Sequence, residues 1–206
     1  GYARAVLRAL REFREEEALL GVAWPLTCKL ILSLDRARDQ IEGARTVALA
    51  ARLRDEGGDG AAVVGVDLSG NPLEGRAADF IPHLEAARRA GLRVTAHCAE
   101  IPGRAGEADT DALMAFGADR LGHALFLGRR HRAALDRAAV PVELCPTSNL
   151  LTLGRRHMRQ HPSAARWLLR ELRPGQGHAP YPVSVNTDDS GVFGTCLSQE
   201  LFRVGK

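Results

Sequence analysis

Five side chains able to hold a metal or to move a proton stand where predicted strands end. They are Asp35, Asp67, His97, His123 and Asp188. Imidazole and carboxylate groups are common zinc ligands, and they also serve as general acids and bases. The carboxyl ends of parallel strands meet on one face, so this composition favours a mononuclear zinc hydrolase. Spacing alone identifies no substrate.

Two of these positions have a second carboxylate close by. His97 and Glu100 form His-x-x-Glu at a strand end, where one could hold a metal and the other could donate a proton. Asp188 precedes Asp189 directly, and because strand residues alternate in direction, we expect the first to point inward and the second to meet a substrate at the rim. Plainer interpretations stay open, namely a core histidine beside a solvated glutamate, and an aspartate pair that caps a helix or forms a turn.

His123 ends a predicted strand after Gly122, which allows a backbone or a ligand to come close. A structural histidine is the alternative interpretation at this position. The remaining histidines fall in predicted helices or loops without evident partners, and we assign no role to them. They are His83, His131, His157, His161 and His178.

Six predicted strands, each followed by a helix, must position these side chains. Period-two alternation predicts strands at 29–35, 62–67, 92–97, 120–123, 141–145 and 183–187. Helices are predicted at 3–20, 36–54, 77–90, 110–116, 130–138, 162–172 and from about 195, with a loop at 174–182. Alternating strands and helices require parallel pairing with right-handed crossovers, hence an α/β fold.

A (β/α)8 barrel is the predicted architecture, because the polar residues gather at the carboxyl ends of the strands. An open doubly wound sheet is the alternative, although its usual GxGxxG turn is absent from the sequence.

Composition indicates one soluble globular domain over 1–206. Its 206 residues are 45% hydrophobic and 26% charged, which suffices for a real core. The formal net charge is +3 and the arginines are scattered, so we expect no nucleic-acid partner. The four cysteines are far apart, so we expect a cytoplasmic protein, and no apolar run is long enough to span a membrane, so we expect no membrane partner. We expect the protein to be a monomer.

Four motifs, in order, resemble those of the adenosine deaminase family. They are VGVDLSG at 64–70, AHCAE at 96–100, RLGH at 120–123 and NTDD at 186–189. Further stretches resemble the N6-methyl-AMP deaminase branch, also called adenosine deaminase-like proteins: LDR at 34–36, DLSGNP at 67–72, ELCPTSN at 143–149, TDDSGVF at 187–193 and LSQE at 197–200. Ser190 stands where classical adenosine deaminases usually have proline.

The resemblance implies a zinc enzyme, with one Zn2+ per subunit, that hydrolyses the amino group at C6 of a small-molecule purine. Carried over position by position, it makes His97 and Asp188 zinc ligands and Glu100 the proton donor to the purine ring. It makes His123 the residue that orients zinc-bound water and helps to deprotonate it.

The resemblance also implies three substrate contacts. Asp189 would accept a hydrogen bond from the purine, the backbone N–H of Gly70 would contact the ring, and Asp35 is a further candidate contact.

The sequence departs from the family at one motif, because it contains no His-x-His, which in the family supplies two further zinc ligands from the first strand. We therefore expect the third to eighth strands of the barrel, in a chain shortened at its N-terminus. Because Lys206 lies within the last expected helix, we expect the chain to be shortened at its C-terminus as well. Three hypotheses follow: a parent enzyme that converts N6-methyl-AMP or a related N6-substituted AMP to IMP and an amine, an adenosine deaminase, and a catalytically incomplete fragment or pseudoenzyme. For the 206-residue chain alone we expect no activity.

Overall fold

A six-stranded parallel sheet lies at the centre of the computed structural model, which describes residues 1–164, 167 and 181–205. The strands follow one another across the sheet in sequence order. They are β1 Leu30–Asp35, β2 Val63–Ser69, β3 Arg93–Cys98, β4 Arg120–His123, β5 Val142–Leu144 and β6 Val183–Val185. Every neighbouring pair is parallel, so the chain crosses back between strands, as the alternating pattern predicts.

Helices occupy the connections. They are α1 Tyr2–Leu19, α2 Gln40–Glu56, α3 Ala77–Arg89, α4 Gly103–Phe116, α5 Arg129–Ala138, α6 Pro146–Thr152, α7 Ser190–Phe193 and α8 Leu197–Val204, with 3-10 turns at Gly58–Ala62 and Met158–Gln160. Helices α2 to α5 pack side by side in order. One helical layer over a sheet of consecutive strands is the arrangement of a barrel wall, whereas a doubly wound sheet carries helices on both faces. Among the described helices, none combines the length and the apolarity needed to cross a lipid bilayer.

The strand register builds one apolar row under the helices. The row consists of Leu34, Leu68, Ala96, Leu121 and Val142, which pair across adjacent strands and are all buried. Because side chains alternate along a strand, the residues on either side of this row project from the opposite face. That face carries polar side chains, among them Ser33, Asp67, Thr95, His97 and Glu143.

Several helix boundaries differ from the predicted ones. α2 begins at Gln40 rather than at residue 36, because the Asp39 side chain caps it by accepting from the Glu42 N–H at 2.8 Å. Helix α4 begins at Gly103, earlier than predicted. The short helices α6 and α7 were not predicted, and most of the helix and loop predicted over 162–182 lies outside the described residues.

Arg36 fastens the β2–α3 connection to α4. Its Nε donates to the Glu74 carbonyl at 2.9 Å and its Nη2 donates to the Gly75 carbonyl at 3.2 Å. The same guanidinium pairs with the Asp109 carboxylate, whose other oxygen accepts from the Ala77 N–H at 2.9 Å. Arg36 is only 4% exposed, so this pairing holds the loop after β2 in place by compensating a buried charge.

Replacing Asp109 with alanine leaves the Arg36 guanidinium buried without its carboxylate. We expect Asp109→Ala to lower the free energy of unfolding by about 3–5 kcal/mol, measured by urea denaturation followed by circular dichroism. The control is Glu42→Ala, which breaks an exposed pair with Arg45 and costs about 1 kcal/mol or less. An equal loss of free energy of unfolding in the two variants would show that the buried pair of Arg36 and Asp109 does not stabilise the fold more than an exposed pair.

Candidate active site

A cleft of about 410 Å³ opens at the carboxyl ends of β3 to β6. We call it the strand-end cleft, and the residues lining it include His97, Gly122, His123, Glu143, Cys145 and Asp188. Its volume is that of a site for a small molecule. Parallel strands therefore bring together three of the side chains identified from the sequence.

Asp67 on β2 holds the imidazole of His97 on β3. Nδ1 of His97 lies 3.3 Å from Oδ1 and 3.2 Å from Oδ2 of this carboxylate. A carboxylate on one ring nitrogen fixes the ring's orientation and leaves Nε2 as the nitrogen that could bind a metal. The sequence placed Asp67 near a strand end but gave it no role, so this contact adds a positioning residue to the site.

The charge around His97 is strongly negative. Burial lowers the pKa of His97, but the hydrogen bond and charge of Asp67, with the charges of Glu100 and Asp188, more than offset burial and raise the pKa to about 9. The carboxylates that stabilise an extra proton on this ring would equally stabilise a bound cation.

His123 is buried at the end of β4 in a strained turn. Its φ is +62°, and the Ala124 N–H donates to the Gly122 carbonyl at 2.8 Å, closing a three-residue turn around it. Nε2 lies 3.5 Å from Oε2 of Glu100 and 3.9 Å from Oδ2 of Asp188. Burial and the neighbouring His97 lower the pKa of His123, which favours the neutral ring.

Glu100 is suited to hold a proton. Burial raises the pKa of this carboxyl above its ordinary value, the shift that a general acid requires near neutral pH. It follows Ala99, whose φ of +55° turns the chain sharply after β3, and Asp188 has a similar φ of +54°. Left-handed backbone at residues other than glycine costs about 1–3 kcal/mol each, and such strain concentrates at functional sites.

Two overlapping sets of donor atoms in the strand-end cleft could hold a metal. One contains His123, Cys145 and Asp188, whose ligand atoms all lie within 4.8 Å of one another. The other is the predicted pair of His97 and Asp188, which line the same cleft. Nitrogen, oxygen and sulfur donors all suit zinc, but burial raises the pKa of the Cys145 thiol, which would have to lose its proton on binding.

The three predicted substrate contacts do not line the strand-end cleft. Asp35 and Gly70 are neighbours at the ends of β1 and β2: Gly70 has a φ of +97°, and a Cβ added there would clash with Oδ1 of Asp35. Asp189 is exposed before α7 while Asp188 is half-buried, and both lie beyond the end of β6 at Val185.

Three histidines expected to lack partners each have a side-chain partner. They are His83, His131 and His161, and their partners, in the same order, are Gln40 at 2.7 Å, Asp111 at 2.7 Å and Asn149 at 3.1 Å. That expectation was wrong because each partner lies at least 12 residues away in the sequence. The asparagine stood in a motif already noted at 143–149, and His178 lies outside the described residues.

Comparison with known proteins gives a consistent family. A family model described as adenosine deaminase matches residues 2–206. The N6-mAMP deaminase of Arabidopsis thaliana is 37% identical over 172 residues, which cover 84% of this chain and 43% of that protein. The N6-methyl-AMP deaminase of Mus musculus is 32% identical over 207 residues, covering 97% of this chain and 51% of that protein.

A solved structure, described as Arabidopsis ADAL complexed with IMP, superposes with a TM-score of 0.72 at 35% identity. The superposition covers 86% of this chain and 48% of that one. The chain thus spans about half the length of the curated relatives it matches, and its six βα units form part of a (β/α)8 barrel, as predicted.

Replacing Asp67 with asparagine removes the main cause of the raised pKa of His97. In the metal-free protein we expect Asp67→Asn to move this pKa from about 9 back toward 6.5, measured by NMR titration of the imidazole. Because folding raises the pKa of His97, the protonated ring stabilises the folded protein fully below pH 6.5. This contribution to the free energy of unfolding is lost as the pH rises through about 9. The variant should therefore lose at most about 3 kcal/mol of pH-dependent stability between these limits.

Asp189→Asn is the matched control for this experiment, because it removes an equal charge from an exposed position before α7. We expect it to leave the titration of His97 nearly unchanged. A wild-type His97 that titrates near 6.5 would contradict the proposed contact with Asp67.

Proposed function

This chain belongs to the adenosine deaminase family, and on that footing we propose that the whole protein hydrolyses the bond between C6 and N6 of a purine nucleotide. Its main substrate would be N6-methyl-AMP, which with one water gives IMP and methylamine. The observation that carries the proposal is the strand-end cleft, where His97, His123 and Asp188 lie beside Glu100. The names of the relatives and the IMP complex of one of them support the choice of nucleotide.

Glu100 would donate the proton that this reaction needs. Attack of water at C6 pushes electrons onto the purine ring and breaks its aromaticity, so protonation of a ring nitrogen avoids a costly anion. The raised pKa of Glu100 supports this role, because the carboxyl keeps its proton to a higher pH than an exposed glutamate would.

His97 and Asp188, which line the strand-end cleft, would hold a zinc ion. When bound, zinc would supply a water whose pKa is lowered toward about 7, which makes a nucleophile available at neutral pH. Asp67 orients His97 for this task through Nδ1. His123 faces the space between Glu100 and Asp188 and would orient the attacking water.

Three residues that do not line the strand-end cleft would position the purine. We assign Asp189 as an acceptor for the purine and the backbone N–H of Gly70 as a donor to the ring, with Asp35 beside it. The φ of +97° at Gly70 and the approach of Asp35 leave no space for a side chain at position 70. Glycine at position 70 therefore lets the Asp35 carboxylate approach the backbone there.

A direct assay tests the activity. The full-length protein that contains this sequence, loaded with zinc, is given N6-methyl-AMP, AMP or adenosine, and IMP, inosine, methylamine and ammonia are measured. We expect methylamine release from N6-methyl-AMP with kcat/KM at least tenfold above that for adenosine, a difference of about 1.4 kcal/mol. The 206-residue chain alone, which has no His-x-His, should release neither amine.

The reverse preference would make the protein an adenosine deaminase. No release from any of the three substrates by zinc-loaded protein would overturn the proposal in favour of a non-catalytic purine-binding protein.

Glu100→Gln keeps the size of the side chain and removes its acid. We expect kcat of the full-length enzyme to fall by about 10²- to 10⁴-fold, because proton donation is lost, while KM changes little. Calorimetric titration with IMP checks that binding is retained. The control is Glu107→Gln, the same substitution at an exposed position on α4, which should leave kcat unchanged.

A further inference from the structure

Two backbone N–H groups determine which ring nitrogen of His161 carries the hydrogen. Its Nδ1 accepts from the N–H of Ser163 at 3.3 Å and from the N–H of Ala164 at 3.0 Å. A backbone N–H can only donate, so Nδ1 of His161 carries no hydrogen. Burial also lowers the pKa of His161 to about 4, so at neutral pH the ring is neutral and its hydrogen is on Nε2.

This hydrogen sets the orientation of the Asn149 amide. Nε2 of His161 lies 3.1 Å from Oδ1 of Asn149 and donates to it. The NH2 group of the amide then faces Nδ1 of His123 at 2.8 Å. An amide nitrogen only donates, so Nδ1 of His123 must accept.

The three side chains form a buried unit. His123, Asn149 and His161 are all buried, so bulk water does not compete for the hydrogen bonds that link them. The backbone N–H groups at His161 therefore determine which nitrogen of His123 accepts. Helix α6, which carries Asn149, is itself fixed by Glu200, a fully buried carboxylate that accepts from the Thr147 N–H at 2.8 Å and from the Thr147 and Thr195 hydroxyls.

We propose that His161 is a positioning residue that acts through Asn149 and selects the tautomer of His123 with its hydrogen on Nε2. That nitrogen faces Glu100 at 3.5 Å and Asp188 at 3.9 Å. The neighbouring His97 has the opposite polarity, because Asp67 accepts from its Nδ1 and leaves Nε2 for a ligand. The hydrogen bond at Nδ1 therefore gives the two histidines of the strand-end cleft different roles. Nε2 of His97 can bind a ligand, whereas Nε2 of His123 carries a hydrogen and donates it.

Two consequences follow for the site. A ring nitrogen that carries a hydrogen cannot ligate a metal, so the tautomer favours the pair of His97 and Asp188 over the set that includes His123 and Cys145. In the reaction, a point that rests on the proposed function, His123 would donate a hydrogen bond to the attacking oxygen without taking its proton. That proton would pass to solvent, because a water held at a zinc site ionises at about pH 7. This revises the role of base that the family resemblance implies for His123.

The test is the tautomer itself, read by NMR on protein with 15N-labelled histidine. Long-range 1H–15N spectra separate a ring nitrogen that carries a hydrogen from one that does not, and they need no turnover. At pH 7.5, in the zinc-loaded full-length protein, we expect His123 to carry its hydrogen on Nε2. The opposite tautomer would overturn the proposal.

Asn149→Asp reverses the polarity with almost no change in size. A carboxylate only accepts, so His123 should move its hydrogen to Nδ1. His161→Leu removes the donor to Asn149 and should give a mixture of tautomers, whereas His161→Gln, which can still donate, should restore the wild-type spectrum. The control is His83→Leu, whose ring pairs with Gln40 on the helical layer and should leave His123 unaffected.

A spectrum of His123 that does not change in either Asn149→Asp or His161→Leu would show that the relay does not set its tautomer. Circular dichroism confirms that each variant is folded.

Kinetics adds a second readout in the full-length enzyme. We expect Asn149→Asp to lower kcat about 10- to 100-fold with little change in KM, the usual cost of losing a residue that orients an active-site group. Wild-type kcat in a variant with the reversed tautomer would overturn the assigned role as a donor. If the protein acts on no purine, the proposed function fails while the NMR spectra still decide the tautomer.

Discussion

The register of the parallel sheet decides which side chains face the strand-end cleft. Asp67 pairs with Thr95, and His97 pairs with Gly122, which in turn pairs with Glu143. A slip of one residue would exchange this polar face for the apolar row under the helices, so the burial of that row also fixes the site. Gly122 is important in this arrangement, because a Cβ there would already contact His97 at 3.5 Å and a longer side chain would extend into the cleft.

The strand ends are held in strained conformations by buried polar contacts. Ala99, His123 and Asp188 all have left-handed backbone, which relaxes unless the surroundings prevent it. His123 is restrained by its amide partner on α6, and α6 is restrained by Glu200. Removing a carboxylate such as Glu200 would therefore affect the geometry of the site as well as stability.

The sequence predicts most of the strands and helices because one unit, a strand followed by a helix, repeats along the chain. Alternation gave six parallel strands, and the motifs gave His97, Glu100, His123 and Asp188, which the fold brings to one face. Other features depend on contacts that no local pattern contains. The helices α6 and α7 span only 7 and 4 residues, too short for a helical period to be recognised.

The sequence also does not predict which ring nitrogens of the histidines donate and which accept hydrogen bonds. The sequence predicts a histidine without a partner at position 161, because the contacts of His161 come from two backbone N–H groups and from an amide 12 residues away. Asp67 was visible at its strand, but its effect on His97 depends on the pairing of β2 with β3. Two histidines with rings only 4.7 Å apart share the same cleft and the same carboxylates, so distance alone does not separate a ligand from a donor. The group bound to Nδ1 separates them, because an acceptor there leaves Nε2 bare to coordinate, whereas a donor there leaves the hydrogen on Nε2.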